Sequence, residues 1–196
     1  SPHLQYFIYE WMLKMKMKYK AIVSGLLLAL AGNSYAIDGR INFTGEIIKT
    51  ACVINGGADK DIELGHYSAA QFRNAGDTSP QLVDVILPLT NCPVTSTIPN
   101  FRVWLEAPAV DTSHPNLIQV GKGVVSADIA KGVGIEIIDA ASGSIMPLNR
   151  LSDIEYPITG TSMNINWKAY YRSYVDTVDI EEGLAEASVD ITLDYR

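Results

Sequence analysis

The chain is poor in the residues that carry chemistry: among its 196 residues are two cysteines and three histidines. No cluster of His and Cys has metal-ligand spacing, and no Cys-x-x-Cys redox pair occurs. The nucleophile elbow Gly-x-Ser-x-Gly, the His-Glu-x-x-His zinc motif and a Gly-rich phosphate loop are also missing. The residues therefore offer no catalytic constellation, no metal site and no cofactor site. The acidic pair Glu181-Glu182 reads as a solvated turn before Gly183 rather than a carboxylate dyad. Basic residues are scarce too, 15 against 22 acidic, and outside the first twenty positions they form no block. Phosphate binding rests on clustered Lys and Arg, so nucleic acid is excluded as a partner. Ordinary apolar content, 47%, with only 19% charged residues argues equally against disorder.

The N-terminal region carries an export pattern. Lys14, Lys16, Lys18 and Lys20 form a cationic stretch, followed by the apolar run Ala21 to Gly32 and the small-x-small site Ser34-Tyr35-Ala36. Twelve apolar residues would span about 18 Å as a helix, short of the roughly 30 Å of a hydrocarbon core. Residues 1–36 are thus expected to be upstream sequence and a secretory signal, with Met12, Met15 and Met17 as possible starts. Without them the chain holds 11 basic and 21 acidic residues, a net charge of −10. In an exported chain the pair Cys52 and Cys92 points to a disulfide, with two buried free thiols as the alternative.

Beyond Ala36 nearly every segment has strand character, with clear alternation in Arg40 to Ile47 and apolar β-branched runs further on. Strands are expected in Arg40 to Ile47, Leu82 to Leu87, Phe101 to Leu105, Gly134 to Ile138 and Met163 to Tyr171. Turn signals separate them at Asn55-Gly56-Gly57, Asn74-Ala75-Gly76-Asp77, His114-Pro115-Asn116, Ser142-Gly143 and Thr159-Gly160. One helical turn fits near Ser68 to Arg73. Short strands at this spacing indicate one all-β domain, a sandwich or barrel. The last strand is the most regular, with Ala185, Ala187, Val189, Ile191, Leu193 and Tyr195 on one face. Near the other end, Ile41, Phe43, Gly45 and Ile47 share a face. Two amphipathic terminal strands either close the sandwich within one chain or serve a neighbour, because an exposed edge accepts an added strand. Trp104, Trp167, Tyr170 and Tyr171 are expected in packing roles, with sugar binding as the rival reading.

In this order the residues resemble the pilin subunits of chaperone–usher fimbriae of Gram-negative bacteria. Gly45 stands seven positions before Cys52, and Cys92 ends Leu87-Pro88-Leu89-Thr90-Asn91-Cys92. Asp61-Ile62-Glu63-Leu64-Gly65 and Gly132-Val133-Gly134-Ile135-Glu136-Ile137-Ile138-Asp139 match family segments. Gly183 lies fourteenth from the end of the sequence and Tyr195 is penultimate. The resemblance implies an incomplete immunoglobulin-like β-sandwich over residues 51–196, lacking its last strand. It implies a donor segment over residues 37–50, with Ile41, Phe43 and Ile47 filling pockets and Gly45 at the family's glycine position. Gly183, Val189, Ile191, Leu193 and Tyr195 would form an acceptor groove. A periplasmic chaperone, an outer-membrane usher and neighbouring subunits are the implied partners, and a cell-surface fimbria the destination. A tip adhesin, which carries a further lectin domain, does not fit this length. A sugar-binding or self-complemented secreted β-sandwich remains as the alternative.

Overall fold

The structure is a computed structural model that describes residues 8, 10, 39–48, 50–95, 97–121 and 128–196. The expected secretory signal, 14–36, lies outside the described residues. The chain divides into two units, 1–46 and 47–196. In the first, residues 39–46 belong to no helix or strand and are exposed. The strand expected from Arg40 to Ile47 is therefore not formed, since no ladder holds it.

Among its described residues the second unit contains nine strands: β1 (Val53–Ile54), β2 (Val83–Thr90), β3 (Asn100–Glu106), β4 (Ala109–Asp111), β5 (His114–Gln119), β6 (Val133–Asp139), β7 (Tyr156–Pro157), β8 (Met163–Ser173) and β9 (Asp190–Tyr195). They form a six-stranded sheet in the order β1-β2-β8-β6-β5-β4 and a three-stranded sheet in the order β7-β3-β9. Every ladder between named strands is antiparallel. The period of two decides which side chains meet between the sheets. Val85, Leu87 and Leu89 of β2 and Ile165, Trp167 and Ala169 of β8 share one core with Phe101, Val103 and Leu105 of β3. The three β3 side chains are fully buried, a contribution of roughly 5–9 kcal/mol at about 1.5–3 each.

Strand β6 is buried on both faces at its start. At Gly134 a Cβ would sit 2.5 Å from Leu117 Cγ and 2.8 Å from the Ile118 carbonyl, so only glycine admits this approach of β5. On the same face as Gly134, Glu136 is buried but paired. Its carboxylate accepts from Tyr170 Oη and from Arg172 Nε, the latter at 2.9 Å. Arg172 also donates to the Gly76 carbonyl, tying the 74–77 turn to the sheet.

Two expectations need correction. His114, Pro115 and Asn116 are not a turn but the first half of β5. The reversal is made just before them by Asp111, whose Oδ1 accepts from the Ser113 and His114 N–H groups at 2.8 Å. Pro115 is tolerated because β6 pairs β5 only at Ile118 and Gln119, so the missing N–H interrupts no bond to that neighbour. The last strand is also shorter than its pattern, because Ala185 to Val189 lie outside the ladder with β3. The single turn expected between Ser68 and Arg73 is a 3-10 turn over Ala69–Gln71, closed by a reciprocal Ser68–Gln71 cap.

Candidate functional site: the open edge of the small sheet

Strand β9 has β3 on one side and, among the described residues, no strand on the other. Its ladder fixes which groups face that free edge. Asn100 and Arg196 exchange two backbone hydrogen bonds, at 3.1 and 2.8 Å. In an antiparallel pair, alternate residues turn their backbone groups toward the partner. Asp194, Thr192 and Asp190, opposite Arg102, Trp104 and Glu106, therefore spend theirs on β3. Ile191, Leu193 and Tyr195 turn their N–H and C=O groups away from β3, into the open edge.

The same three residues carry the apolar side chains. Ile191, Leu193 and Tyr195, with Val189 just before the strand, are half-buried and pack on the main core. Against that core also lie Ile54, Ile62 and Leu64. Residues 59–67 form no helix or strand, yet burial alternates there, with Ile62 and Leu64 half-buried between exposed Asp61, Glu63 and Gly65. The site thus combines a strip of incompletely covered apolar side chains with a row of free backbone donors and acceptors. That is the chemistry that accepts an added strand.

Its far end is anchored. Tyr195 Oη accepts from the Cys52 N–H at 2.7 Å, and its ring meets Phe101 at 6.3 Å. Burial raises the Tyr195 phenol above its usual value, partly opposed by the hydrogen bond from Cys52. Cys52 itself is bonded to Cys92, with Cα atoms 4.1 Å apart. The disulfide thereby holds the start of β1 at the end of β2, and the Cys52–Tyr195 hydrogen bond ties that junction to the end of β9.

The structure brings together Val189, Ile191, Leu193, Tyr195, Cys52 and Cys92, while Gly183 stands apart from them, before β9. A Cβ there would lie 2.6 Å from the backbone nitrogen of Ala130 and 2.7 Å from the Asp128 carbonyl. Gly183 permits a backbone crossing at which Ala130 and Leu184 are hydrogen-bonded, one layer before β9. Of the expected donor residues, Ile41, Phe43 and Ile47 are 79, 92 and 96% exposed. A Cβ on Gly45 would meet nothing within 4 Å, so among the described residues nothing around it demands glycine.

The aromatics divide. Trp167 and Tyr170 are buried, Tyr171 is half-buried and Trp104 is 38% exposed on the outer face of β3. Trp167 Nε1 donates to Tyr156 Oη, which donates to Asp139 Oδ1, both at 2.9 Å. Burial alone would raise the Asp139 carboxyl, but hydrogen bonds from Ser142 and Tyr156 outweigh it and hold it below the usual carboxylate range. Sequence reasoning missed this chain, because its members are brought together only by the fold. It also left Ile54, Ile62 and Leu64 out of the site, although the alternation of Ile62 and Leu64 was a usable signal.

The profile of the family described as fimbrial protein matches residues 41–196. The fimbrial-like protein YraH of Escherichia coli K12 is 46% identical over 193 residues, covering 90% of this chain and 97% of its own. The type-1 fimbrial protein A chain of Salmonella typhi is 28% identical over 193 residues, covering 92% of this chain and all of its own. Among solved structures, the P pilus rod subunit PapA superposes with a TM-score of 0.58 at 18% identity, covering 74% of this chain and 99% of that one. A chaperone–usher pilus structure matches with the same TM-score at 19% identity, covering 81% and 95%.

Proposed function

Because the chain belongs to the fimbrial protein family and is a structural fimbrial subunit, we propose that it polymerises by donor-strand exchange. In this reading residues 37–50 are the donor segment, with Ile41, Phe43 and Ile47 as the inserted side chains. Val189, Ile191, Leu193 and Tyr195 line the groove that receives a neighbour's donor, and Gly183 shapes the approach to it. Gly45 is then glycine for the sake of the receiving subunit. A periplasmic chaperone occupies the groove first, an outer-membrane usher exchanges it for a donor segment, and the product is a cell-surface fimbria. The role is assembly and not catalysis.

One observation carries the reading. Along β9 the residues with half-covered apolar side chains also offer free backbone groups to the open edge. An incoming strand would gain both kinds of interaction at once. About 0.5–1.5 kcal/mol net per ladder bond, added to apolar burial, gives tight and long-lived association once ordering entropy is subtracted.

The test is deletion of residues 37–45, or Phe43→Asp, in cells that supply the chaperone and usher. The altered subunit should accumulate with the chaperone and stay out of sheared fibres. Normal incorporation would refute the donor assignment. Leu193→Asp or Tyr195→Asp should instead weaken chaperone capture and lower the periplasmic level.

A further inference from the structure

Two apolar strips meet at the candidate site. One holds Ile62 and Leu64; the other holds Ala185 and Val189 and leads into β9. Residues 61–65 and 185–189 belong to no helix or strand, so no ladder sets where either strip lies. Two tyrosines supply what a ladder would. Tyr67 Oη donates to the Leu64 carbonyl at 2.7 Å, and Tyr171 Oη donates to the Ala185 carbonyl at 2.8 Å. Their rings meet edge to face, with centroids 6.0 Å apart and planes at 74°, an arrangement that aromatic pairs favour. Hydroxyl, ring, ring and hydroxyl form one continuous link from the first strip to the second.

The link has a fixed base. Tyr171 stands in β8 opposite Ile135 of β6, and both tyrosines pack with Ala185 on a small second core of Phe72, Ala130 and Val133. The backbone on either side of Ala185 is held as well. The Leu184 N–H donates to the Asp128 carbonyl at 2.7 Å, and the Glu186 carbonyl accepts from the Gly121 N–H at 2.7 Å. At the far end of β9 the Tyr195 hydroxyl reaches Cys52. Tyrosine hydroxyls thus span the site near both ends, outside Ile191 and Leu193.

We propose that Tyr67 and Tyr171 are positioning residues for strand uptake: their linked hydroxyls hold the two strips at a set separation before a strand arrives. This rests on the donor-strand reading and adds to it the residues that prepare the groove. A chain without the link would have to order both strips as it binds, and affinity falls by the fraction of molecules already in the competent arrangement.

The test uses full-length chains carrying Phe43→Asp and refolded with the disulfide intact. They are titrated with a fluorescent peptide of residues 37–50, and thermal unfolding is measured on the same samples. Tyr67→Phe and Tyr171→Phe should each weaken peptide binding roughly three- to ten-fold, the equivalent of one lost hydrogen bond. The double variant should bind no more weakly than the weaker single one, because either change breaks the same link. Tyr67 lies outside every strand, so Tyr67→Phe alone decides the case if the change in β8 impairs folding. Tyr170→Phe is the control. Tyr170 adjoins Tyr171 in the chain but faces the other side of the sheet, where its hydroxyl donates to Glu136. Its loss should lower the unfolding midpoint and leave peptide affinity at the parent's value. Peptide binding equal to the parent's in Tyr67→Phe and Tyr171→Phe, with only the unfolding midpoints lowered, overturns the positioning role and leaves donor exchange standing. Additive losses in the double variant overturn it too, since the tyrosines would then act separately. A parent chain that takes up no peptide overturns the donor assignment itself, and this role with it.

Discussion

Strands β8 and β9 have the same alternating pattern and opposite circumstances. β8 lies between β2 and β6, and its inward residues Ile165, Trp167 and Ala169 are buried. Among the described residues β9 has β3 alone, and its inward residues Ile191, Leu193 and Tyr195 are only half-covered. Period-two hydrophobicity states that one face belongs to a core; it does not state whether the cover is complete. In β9 the pattern calls for more cover than the described residues provide, and that shortfall is what the proposed donor strand would fill.

The contrast predicts a ranking of effects. Trp167→Ala should be the most damaging, about 3–5 kcal/mol in chemical denaturation, because it empties a closed site in β8 and removes the indole N–H that Tyr156 Oη accepts. Cys92→Ser should follow, at about 2–5 kcal/mol. It should also free Tyr195, visible as a changed tyrosine environment in near-ultraviolet dichroism. A third probe is pH. The Asp139 carboxyl is held below its usual range by Ser142 and Tyr156, so its contribution is complete above the unfolded value of about 3.9 and fades as pH falls through the lower folded value. Unfolding midpoints should therefore drop below about pH 4 in the parent, and less steeply in Asp139→Asn. The smallest effect should come from Leu193→Ala, about 1 kcal/mol in the unoccupied subunit. The same truncation at Ile165 should cost about 2–5 kcal/mol. A peptide of residues 37–50 should narrow that gap by making Leu193 a closed position; an unchanged gap would separate β9 from donor binding.

The fold class was legible because strand character is local: β2, β3, β6 and β8 lie where the apolar, β-branched runs place them. Failures came where a distant partner decides. Arg40 to Ile47 alternates as well as β8 but has no ladder, and Ala185 to Val189 continues the β9 pattern past the last residue paired with β3. His114-Pro115-Asn116 looked like a turn because proline and asparagine usually mark one, whereas the Asp111 carboxylate makes the reversal just before it. For the candidate site, the facing of Ile191, Leu193 and Tyr195 could be read from the sequence. That their backbone groups also face an open edge could not, because this depends on which strand pairs with β9. Gly183 stood out in the sequence, and its close packing against Asp128 to Ala130 could be seen only in the fold.

The disulfide also has a mechanical meaning. Strand β1 is two residues long and pairs only with Leu89 and Thr90 of β2, a zipper that a pull from the N-terminal side would open one rung at a time. Cys52 stands immediately before it and is bonded to Cys92, just beyond the end of β2. Tension entering at residue 50 would therefore meet a covalent link before the first rung of β1. The load would pass into β2, whose seven-pair ladder with β8 is far harder to peel than β1.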